Sequence, residues 1–247
     1  MRENIKTLMK SNKLEYVYQP LWNIINWKIY GYESLLRCPA IRNFNPEDFF
    51  KRARMEGCLF ELDSLSIKNS IINFPFFNPK NHPLLFINIF PSTLIHSDFE
   101  CLILNLMKEH PYIHGRLVFE LNETSDENYI WKTPKLKKGI SLLKDQGFYV
   151  ALDDVGQGEG SLQNIIEMKP NYIKLDKYFS EELATCKEKQ AVISFFVDYC
   201  NSETILILEG VEKEIDLAQA KYLKVPIVQG YLLGKPEQLT LISPMIK

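Results

Sequence analysis

Two adjacent aspartates, Asp153 and Asp154, directly follow the hydrophobic run at residues 149–152. A glycine-spaced turn and a helix-forming stretch come next, which is typical of a strand, a loop and a helix in succession. Neighbouring carboxylates repel each other unless a cation or solvent lies between them, so the pair points to metal binding. A turn or a helix cap is the simpler alternative for either aspartate taken alone.

The glycines after this pair do not form a dinucleotide-binding site. Gly156, Gly158 and Gly160 are spaced G-x-G-x-G, whereas the dinucleotide fingerprint is G-x-G-x-x-G. The two aspartates before them would also repel a pyrophosphate group. We therefore exclude a dinucleotide cofactor at this turn.

Other polar residues lie within or directly after hydrophobic runs along the chain. If those runs are parallel strands of one barrel, their carboxyl ends meet at one mouth, where barrel enzymes place their active sites. Carboxylates are rarely buried unless they are paired or bound to metal, so a structural role would require a partner for each. The seven residues are Glu33, Asn88, Glu120, Asp153, Lys174, Glu209 and Gln229.

The elements that must position these residues alternate between strands and helices. Eight strand-like runs separated mostly by helical crossovers predict a (β/α)8 TIM-like barrel. The predicted strands are residues 16–25, 28–38, 84–90, 117–121, 149–152, 172–175, 204–208 and 226–232, and polar, amphipathic segments occupy residues 46–73. The predicted helices from the third strand onward are residues 97–110, 126–147, 162–169, 187–201 and 212–224.

The first two strands are the exception to this alternation. They are joined at Asn26 and Trp27, and so short a turn forces an antiparallel pair, because a parallel pair needs a crossover of about a dozen residues. We therefore predict a barrel with one antiparallel strand. No linker or low-complexity tract divides the chain, which favours one domain over residues 1–247. The proline-rich residues 75–83 are predicted to form an irregular loop.

The composition excludes several classes of function. The chain has 247 residues and a net charge of −2, so it lacks the basic surface that binds a nucleic-acid polymer. Its five cysteines are odd in number and contain no C-x-x-C, which argues against a disulfide framework or a zinc cluster and favours the cytoplasm. No apolar stretch of about 18 residues predicts a membrane span, so we expect a soluble chain.

With these residues in place, the chain resembles the EAL-domain family of bacterial cyclic di-GMP phosphodiesterases. The resemblance runs from YQP at residues 18–20 to GKP at residues 234–236, and residues 33–37, ESLLR, stand where the family has E-A-L-L-R. The other matching positions are Asn88 (N-x-S-P), Glu120 and Glu123 (E-x-T-E), Asp153 and Asp154 (D-D-F-G), Lys174 and Asp176 (K-x-D), Glu209 and Glu212 (E-G-V-E) and Gln229 (Q-G-Y).

The resemblance implies hydrolysis of cyclic di-GMP to linear pGpG with two divalent metal ions, Mg²⁺ or Mn²⁺, in a homodimer. It implies that Lys174 and Gln229 order or activate the attacking water, that Glu123 braces the glycine loop, and that Arg37 and Asp176 contact the substrate. The implied metal ligands are Glu33, which is also catalytic, and Asn88, Glu120, Asp153, Asp154 and Glu209.

The residue types agree with this chemistry. Hard oxygen ligands suit Mg²⁺ or Mn²⁺ better than Zn²⁺, and five carboxylates with one lysine sum to −4, which two divalent cations neutralise. Lys174 is either a general base or a charged group that positions the nucleophile, and its carboxylate neighbours favour the charged form. Arg37 follows Glu33 by four residues, so both face the same side of a strand, although a surface salt bridge is its alternative role.

The loop after Asp154 departs most from the family pattern, with Val155, Gln157, Glu159 and Gly160 at altered positions. Ser34, Phe90 and Asn122 are the other substitutions within motifs. Two functions therefore remain: an active phosphodiesterase, or a catalytically silent receptor that binds cyclic di-GMP or a protein. A metal-dependent enzyme for another substrate is a third. The apolar helix at residues 191–200 either packs onto the strands or forms a dimer face.

Overall fold

The computed structural model describes residues 4–11, 13–76, 83–122, 125–156, 161–200 and 203–239, without the side chains of residues 125 and 161. Within these ranges eight strands, β1 to β8, form a closed barrel in sequence order. They are β1 Glu15–Asn23, β2 Lys28–Arg37, β3 Leu84–Asn88, β4 Leu117–Asn122, β5 Tyr149–Val155, β6 Tyr172–Leu175, β7 Ile205–Leu208 and β8 Ile227–Gln229. The predicted TIM-like barrel is confirmed.

The reversed strand is β1, which pairs antiparallel with both β2 and β8, while the other neighbouring pairs are parallel. The turn between β1 and β2 is closed by Asn23, whose Oδ1 accepts the backbone N–H groups of Ile25 at 3.0 Å and Asn26 at 3.2 Å. Trp27 ends the turn in the left-handed region, with φ 54°. This connection is too short for a crossover, and the predicted antiparallel strand is confirmed.

The helices lie between the strands along the chain, and several begin at residues that cap them. Asn45 caps the second helix by accepting the N–H of Glu47 at 2.8 Å, and Pro46 occupies its first position, where a missing N–H costs nothing. The helices are α1 Ile5–Lys10, α2 Pro46–Met55, α3 Leu59–Asn73, α4 Pro91–Leu94, α5 Phe99–Glu109, α6 Asn128–Trp131, α7 Pro134–Asp145, α8 Ser161–Met168, α9 Lys187–Tyr199 and α10 Glu214–Tyr222.

The helix predicted at residues 126–147 is divided into a 3-10 turn, Ser125–Glu127, and the two helices α6 and α7. Pro134 explains the break. A proline disfavours the helical conformation of the residue before it, and Thr133 is extended, with φ −90° and ψ 140°. Thr133 then caps α7 by accepting the N–H of Leu136.

The barrel interior is apolar at the amino ends of the parallel strands. One inward-facing side chain from each strand except β2 forms the central packed layer. On β2 the corresponding position is Gly31, where an added Cβ would lie 2.7 Å from Phe86 Cε2. The absence of a side chain at Gly31 therefore leaves space for the Phe86 ring. The layer consists of Leu21, Phe86, Val118, Ala151, Tyr172, Ile207 and Ile227.

Helix α9 buries Ile193 and Phe196 against the barrel, which supports inward packing of this apolar helix. Phe195 and Tyr199 remain substantially exposed, so the homodimer stays a prediction. In the part of the chain that the structure describes, no helix has the length and apolar character needed to cross a bilayer. Of the predicted irregular loop at residues 75–83, residues 77–82 lie outside the described ranges.

Candidate active site

The polar residues that were predicted to converge lie on the same inward-facing side of the strands as the apolar core, one step closer to the barrel mouth. Because side chains alternate between the two faces of a strand, the residue two positions beyond each core residue also faces inward. On β3, for example, Phe86 belongs to the core and Asn88 to the site. The same step leads from Gly31 to Glu33, Val118 to Glu120, Ala151 to Asp153, Tyr172 to Lys174, Ile207 to Glu209 and Ile227 to Gln229.

Lys174 lies at the centre of these side chains and is 1 % exposed. Its Nζ lies 2.7 Å from Glu120 Oε1, 2.7 Å from Glu209 Oε1 and 2.9 Å from Asp153 Oδ1. Glu33 Oε2 is farther away, at 3.7 Å. Burial disfavours the ammonium form, but the surrounding carboxylates, led by Asp153, outweigh burial and raise the pKa of Lys174 well above its ordinary value. In this environment Lys174 is protonated.

Two amide side chains donate hydrogen bonds to carboxylates of this cluster. Asn88 Nδ2 donates to Glu33 Oε1 at 3.2 Å and lies 3.4 Å from Glu120 Oε2. Gln229 Nε2 donates to Glu33 Oε2 at 2.8 Å. The other amide atom of Gln229, Oε1, is buried and has no hydrogen-bond partner among the described residues. An unsatisfied buried acceptor beside carboxylates is suited to a water molecule or a bound ligand.

The two adjacent aspartates reach the same site because β5 is irregular where they lie. The register of β5 against β6 shifts between Leu152 and Val155, and Asp154 adopts a left-handed φ of 50°. In a regular strand, neighbouring side chains point to opposite faces. Here Asp153, Asp154 and Glu209 each place one carboxylate oxygen within 4.8 Å of the others, in an arrangement that could hold a metal ion.

Burial raises the pKa of several of these carboxyl groups. It raises that of Asp154 to about 6, with the charge of Asp153 adding to the effect, and it raises those of Glu120 and Glu209 well above the ordinary value despite Lys174. One ammonium group therefore does not compensate the negative charge of this cluster. The donors are oxygen atoms, which fit Mg²⁺, Mn²⁺ or Ca²⁺. The residues present thus fit divalent cations, which would supply the missing positive charge.

Asn122 belongs to the site but was not among the predicted site residues. Its Nδ2 donates to Asp154 Oδ2, and its backbone lies opposite Asp153 in the β4–β5 register. The sequence contained the signal, because Asn122 follows Glu120 by two residues on β4 and therefore faces the same side. The family motif has threonine at the position of Asn122, so the resemblance alone did not indicate a contact between Asn122 and Asp154.

Two of the predicted site residues make no hydrogen bond or ion pair with this cluster in the described part of the chain, and a third lies outside that part. Arg37 Nη1 donates to the carbonyl of Leu36 at 2.9 Å, and no ion pair or hydrogen bond connects it with the carboxylates within the described ranges. Asp176 accepts the N–H of Tyr178 at 2.8 Å and so caps a 3-10 turn. Glu123 lies outside the described residues, as do Gln157 and Glu159 of the altered loop.

Comparisons with known proteins place this barrel in a family. The family model for the EAL domain matches residues 2–236. The Escherichia coli (strain K12) protein named "Probable cyclic di-GMP phosphodiesterase PdeI" is 31 % identical over 241 residues, which cover 94 % of this chain and 30 % of that protein. The chain therefore spans about a third of the length of this curated relative.

Solved structures show the same fold at lower identity. The FimX EAL domain from Pseudomonas aeruginosa, in a structure bound to c-di-GMP, has a TM-score of 0.82 at 21 % identity, covering 95 % of each chain. The PaMucR phosphodiesterase, in a c-di-GMP complex, also has a TM-score of 0.82 at 21 % identity, covering 94 % of this chain and 95 % of its own. Because the family model matches nearly the whole chain, the chain belongs to the EAL domain family.

Proposed function

We propose that this chain hydrolyses cyclic di-GMP to linear pGpG in a reaction that requires two divalent cations, Mg²⁺ or Mn²⁺. The observation that carries the proposal is the convergence of four carboxylates on a buried lysine at the barrel mouth, with Asp154 beside two of them. An anionic phosphodiester would be repelled by this cluster unless cations were bound. The names of the curated relatives and the ligands of the solved EAL domains support cyclic di-GMP as the substrate.

The proposed metal ligands divide into two halves by their contacts with one another. One half is Glu33, Asn88 and Glu120, and the other is Asp153, Asp154 and Glu209. Asn88 would present its amide oxygen to a cation by turning its side-chain amide over. When bound, a pair of cations would activate a water molecule and stabilise negative charge on the phosphoryl group.

The remaining residues would orient the water and the substrate. Lys174, held protonated by its neighbours, would stabilise charge that develops on the phosphoryl oxygens rather than act as the general base. Gln229 would accept a hydrogen bond from the water through Oε1, while its Nε2 is fixed by Glu33. Arg37 would bind a phosphate or a guanine edge through its planar guanidinium, and Asp176 would contact the substrate at the end of β6.

The reaction adds one water molecule across one P–O bond of the cyclic dinucleotide. The phosphorus gains the water oxygen, the departing ribose oxygen gains a proton, and the ring opens to pGpG. Glu123 would brace the loop beyond Asp154. We further propose that residues 1–247 form one domain that works as a homodimer in the cytoplasm, which is consistent with five free cysteines and the exposed aromatic side chains on α9.

The test is nucleotide chromatography of cyclic di-GMP incubated with the purified chain in Mn²⁺ or in chelator. We expect pGpG only with the metal. Glu33→Ala should abolish turnover while leaving the melting temperature nearly unchanged, since Glu33 lies above the apolar core. Glu109→Ala is the matched control, because it removes an acid from an exposed ion pair with Lys68 and should retain full activity. Bound but intact cyclic di-GMP in Mn²⁺ would favour the silent receptor instead.

A further inference from the structure

A buried ion pair lies outside the carboxylate cluster and joins two connections of the barrel. Arg54 on α2 places Nη1 2.6 Å from Oε1 of Glu127, in the 3-10 turn Ser125–Glu127. The Glu127 side chain is fully buried, whereas that of Arg54 is 28 % exposed. A buried carboxylate depends strongly on its partners, because it has lost its hydration.

The same carboxylate holds the turn that follows β3. Glu127 Oε2 accepts the backbone N–H of Ser92 at 3.0 Å, and the Ser92 hydroxyl donates to Oε1. A second buried carboxylate, Asp63 of α3, accepts the N–H of Phe90 at 3.0 Å. Two buried acids thus fix backbone amides that lie two and four residues beyond Asn88.

The positions of these residues along the chain connect three neighbouring strands. Arg54 lies on the first helix after β2, Ser92 lies in the first turn after β3, and Glu127 lies in the first turn after β4. These strands carry Glu33, Asn88 and Glu120 respectively. The ion pair therefore links the segment that follows β2 to the segment that follows β4, and these two strands carry Glu33 and Glu120 of the proposed metal site.

We propose that Arg54 and Glu127 are positioning residues that set the spacing of Glu33, Asn88 and Glu120, an inference that rests on the proposed metal-binding function of these three residues. Loss of the Arg54 charge leaves the buried Glu127 carboxylate without its charged partner, which favours a carboxylate position nearer to solvent. Such a movement weakens the hydrogen bonds from Ser92 to Glu127 and loosens the turn beyond Asn88. Partners that orient ligands from outside typically change metal affinity by 10- to 100-fold.

The test compares Arg54→Met with Arg52→Met, a matched control on the same helix. Arg52 is similarly exposed, at 25 %, and its Nε lies 2.7 Å from Glu56 Oε1. Glu56 is the residue directly after α2, and its Oε2 accepts the N–H of Ile5 on α1. Mn²⁺ affinity is measured by titration calorimetry, and amide exchange at Phe90 and Ser92 is measured by hydrogen–deuterium exchange. We expect Arg54→Met to weaken Mn²⁺ binding about tenfold and to speed exchange at Ser92, with Arg52→Met within about twofold of the parent.

Ser92→Ala is a milder second variant in case Arg54→Met does not fold. It removes one hydroxyl contact to Glu127 and should weaken Mn²⁺ binding about threefold. Ser97→Ala should cause no change, because the Ser97 hydroxyl donates to Asp98 on the surface. If Arg54→Met binds Mn²⁺ as tightly as the parent chain does, the positioning role is overturned and the proposed activity is left intact. If only Ser92→Ala folds, the same result in that variant decides the question. Weakened Mn²⁺ binding in a chain that never hydrolyses cyclic di-GMP would support positioning and refute the phosphodiesterase.

Discussion

Replacing Lys174 with methionine tests how strongly the buried cluster depends on its single cation. Four carboxylates lie within 3.7 Å of Lys174 Nζ, and the lysine is 1 % exposed. Methionine retains much of the length and the apolar stem but removes the charge. The remaining carboxylates must then take up protons, admit water or bind metal ions.

Removing one partner of a buried ionic network costs about 3–5 kcal/mol, because the other charges remain uncompensated. For a chain of this size each kcal/mol lowers Tm by about 2–4 °C, so we expect Lys174→Met to melt on the order of 10 °C below the parent in chelator. Mn²⁺ should raise the Tm of the variant towards that of the parent in chelator, since a cation bound to the folded state adds about 2.7 kcal/mol at 100 times its Kd. Turnover should fall by about 10²- to 10³-fold.

Thermal melts of the parent and the variant, with chelator and with Mn²⁺, measure these effects together with kcat. Lys68→Met is the control, because its ammonium pairs with Glu109 on the surface and should contribute less than about 1 kcal/mol. An unchanged Tm of Lys174→Met in chelator would refute the reasoning. It would mean that the carboxylates are already neutralised by protons and that Lys174 is not their compensating charge.

Gly31→Ala should destabilise the barrel by about 1–3 kcal/mol in urea unfolding, because the added Cβ would lie 2.7 Å from Phe86 Cε2. A second change, Phe86→Leu, should recover part of this loss. An unchanged urea midpoint of Gly31→Ala would contradict the predicted clash. Burial raises the pKa of Asp63 to about 7 from an ordinary 3.8, so the folded chain keeps a proton that the unfolded chain loses. The free energy of unfolding should therefore fall as pH rises from 4 to 7, by up to about 4 kcal/mol from this group. Asp63→Asn should lose that pH dependence, and parallel pH profiles of the two chains would contradict the prediction. Mn²⁺ must displace a proton from Asp154, whose pKa is about 6. Calorimetry should therefore show the affinity for Mn²⁺ falling roughly fivefold between pH 6 and pH 5 from this group alone. Equal Mn²⁺ affinities at pH 5 and pH 7 would contradict this prediction.

Most of the barrel was predictable because strand periodicity and turn length are local signals. The turn at Asn26 and Trp27 was enough to predict the reversed strand, since no crossover fits there. The break at Thr133 and Pro134 was also present in the sequence, but the amphipathic pattern continues across it and favoured one long helix. Helix boundaries of this kind depend on a single residue and are easily missed.

The convergence of the site residues followed from strand alternation, whereas the contacts between them did not. The bulge that turns both Asp153 and Asp154 into the barrel depends on a register shift against β6, which the sequence does not specify. Likewise, the position of Lys174 among four carboxylates requires residues from four strands and Glu209, which directly follows β7. The ion pair between Arg54 and Glu127 joins residues 73 positions apart and had no signal in the sequence.

We propose that the carboxylates around Lys174 hold two divalent cations, which the hydrolysis of cyclic di-GMP requires. The most direct measurement titrates the metal-free chain with Mn²⁺ and follows both bound metal per chain and the rate of pGpG formation. We expect the rate to rise until two Mn²⁺ are bound per chain and to remain constant afterwards. Two bound Mn²⁺ with cyclic di-GMP bound and unhydrolysed, or turnover that persists without metal, would contradict the claim.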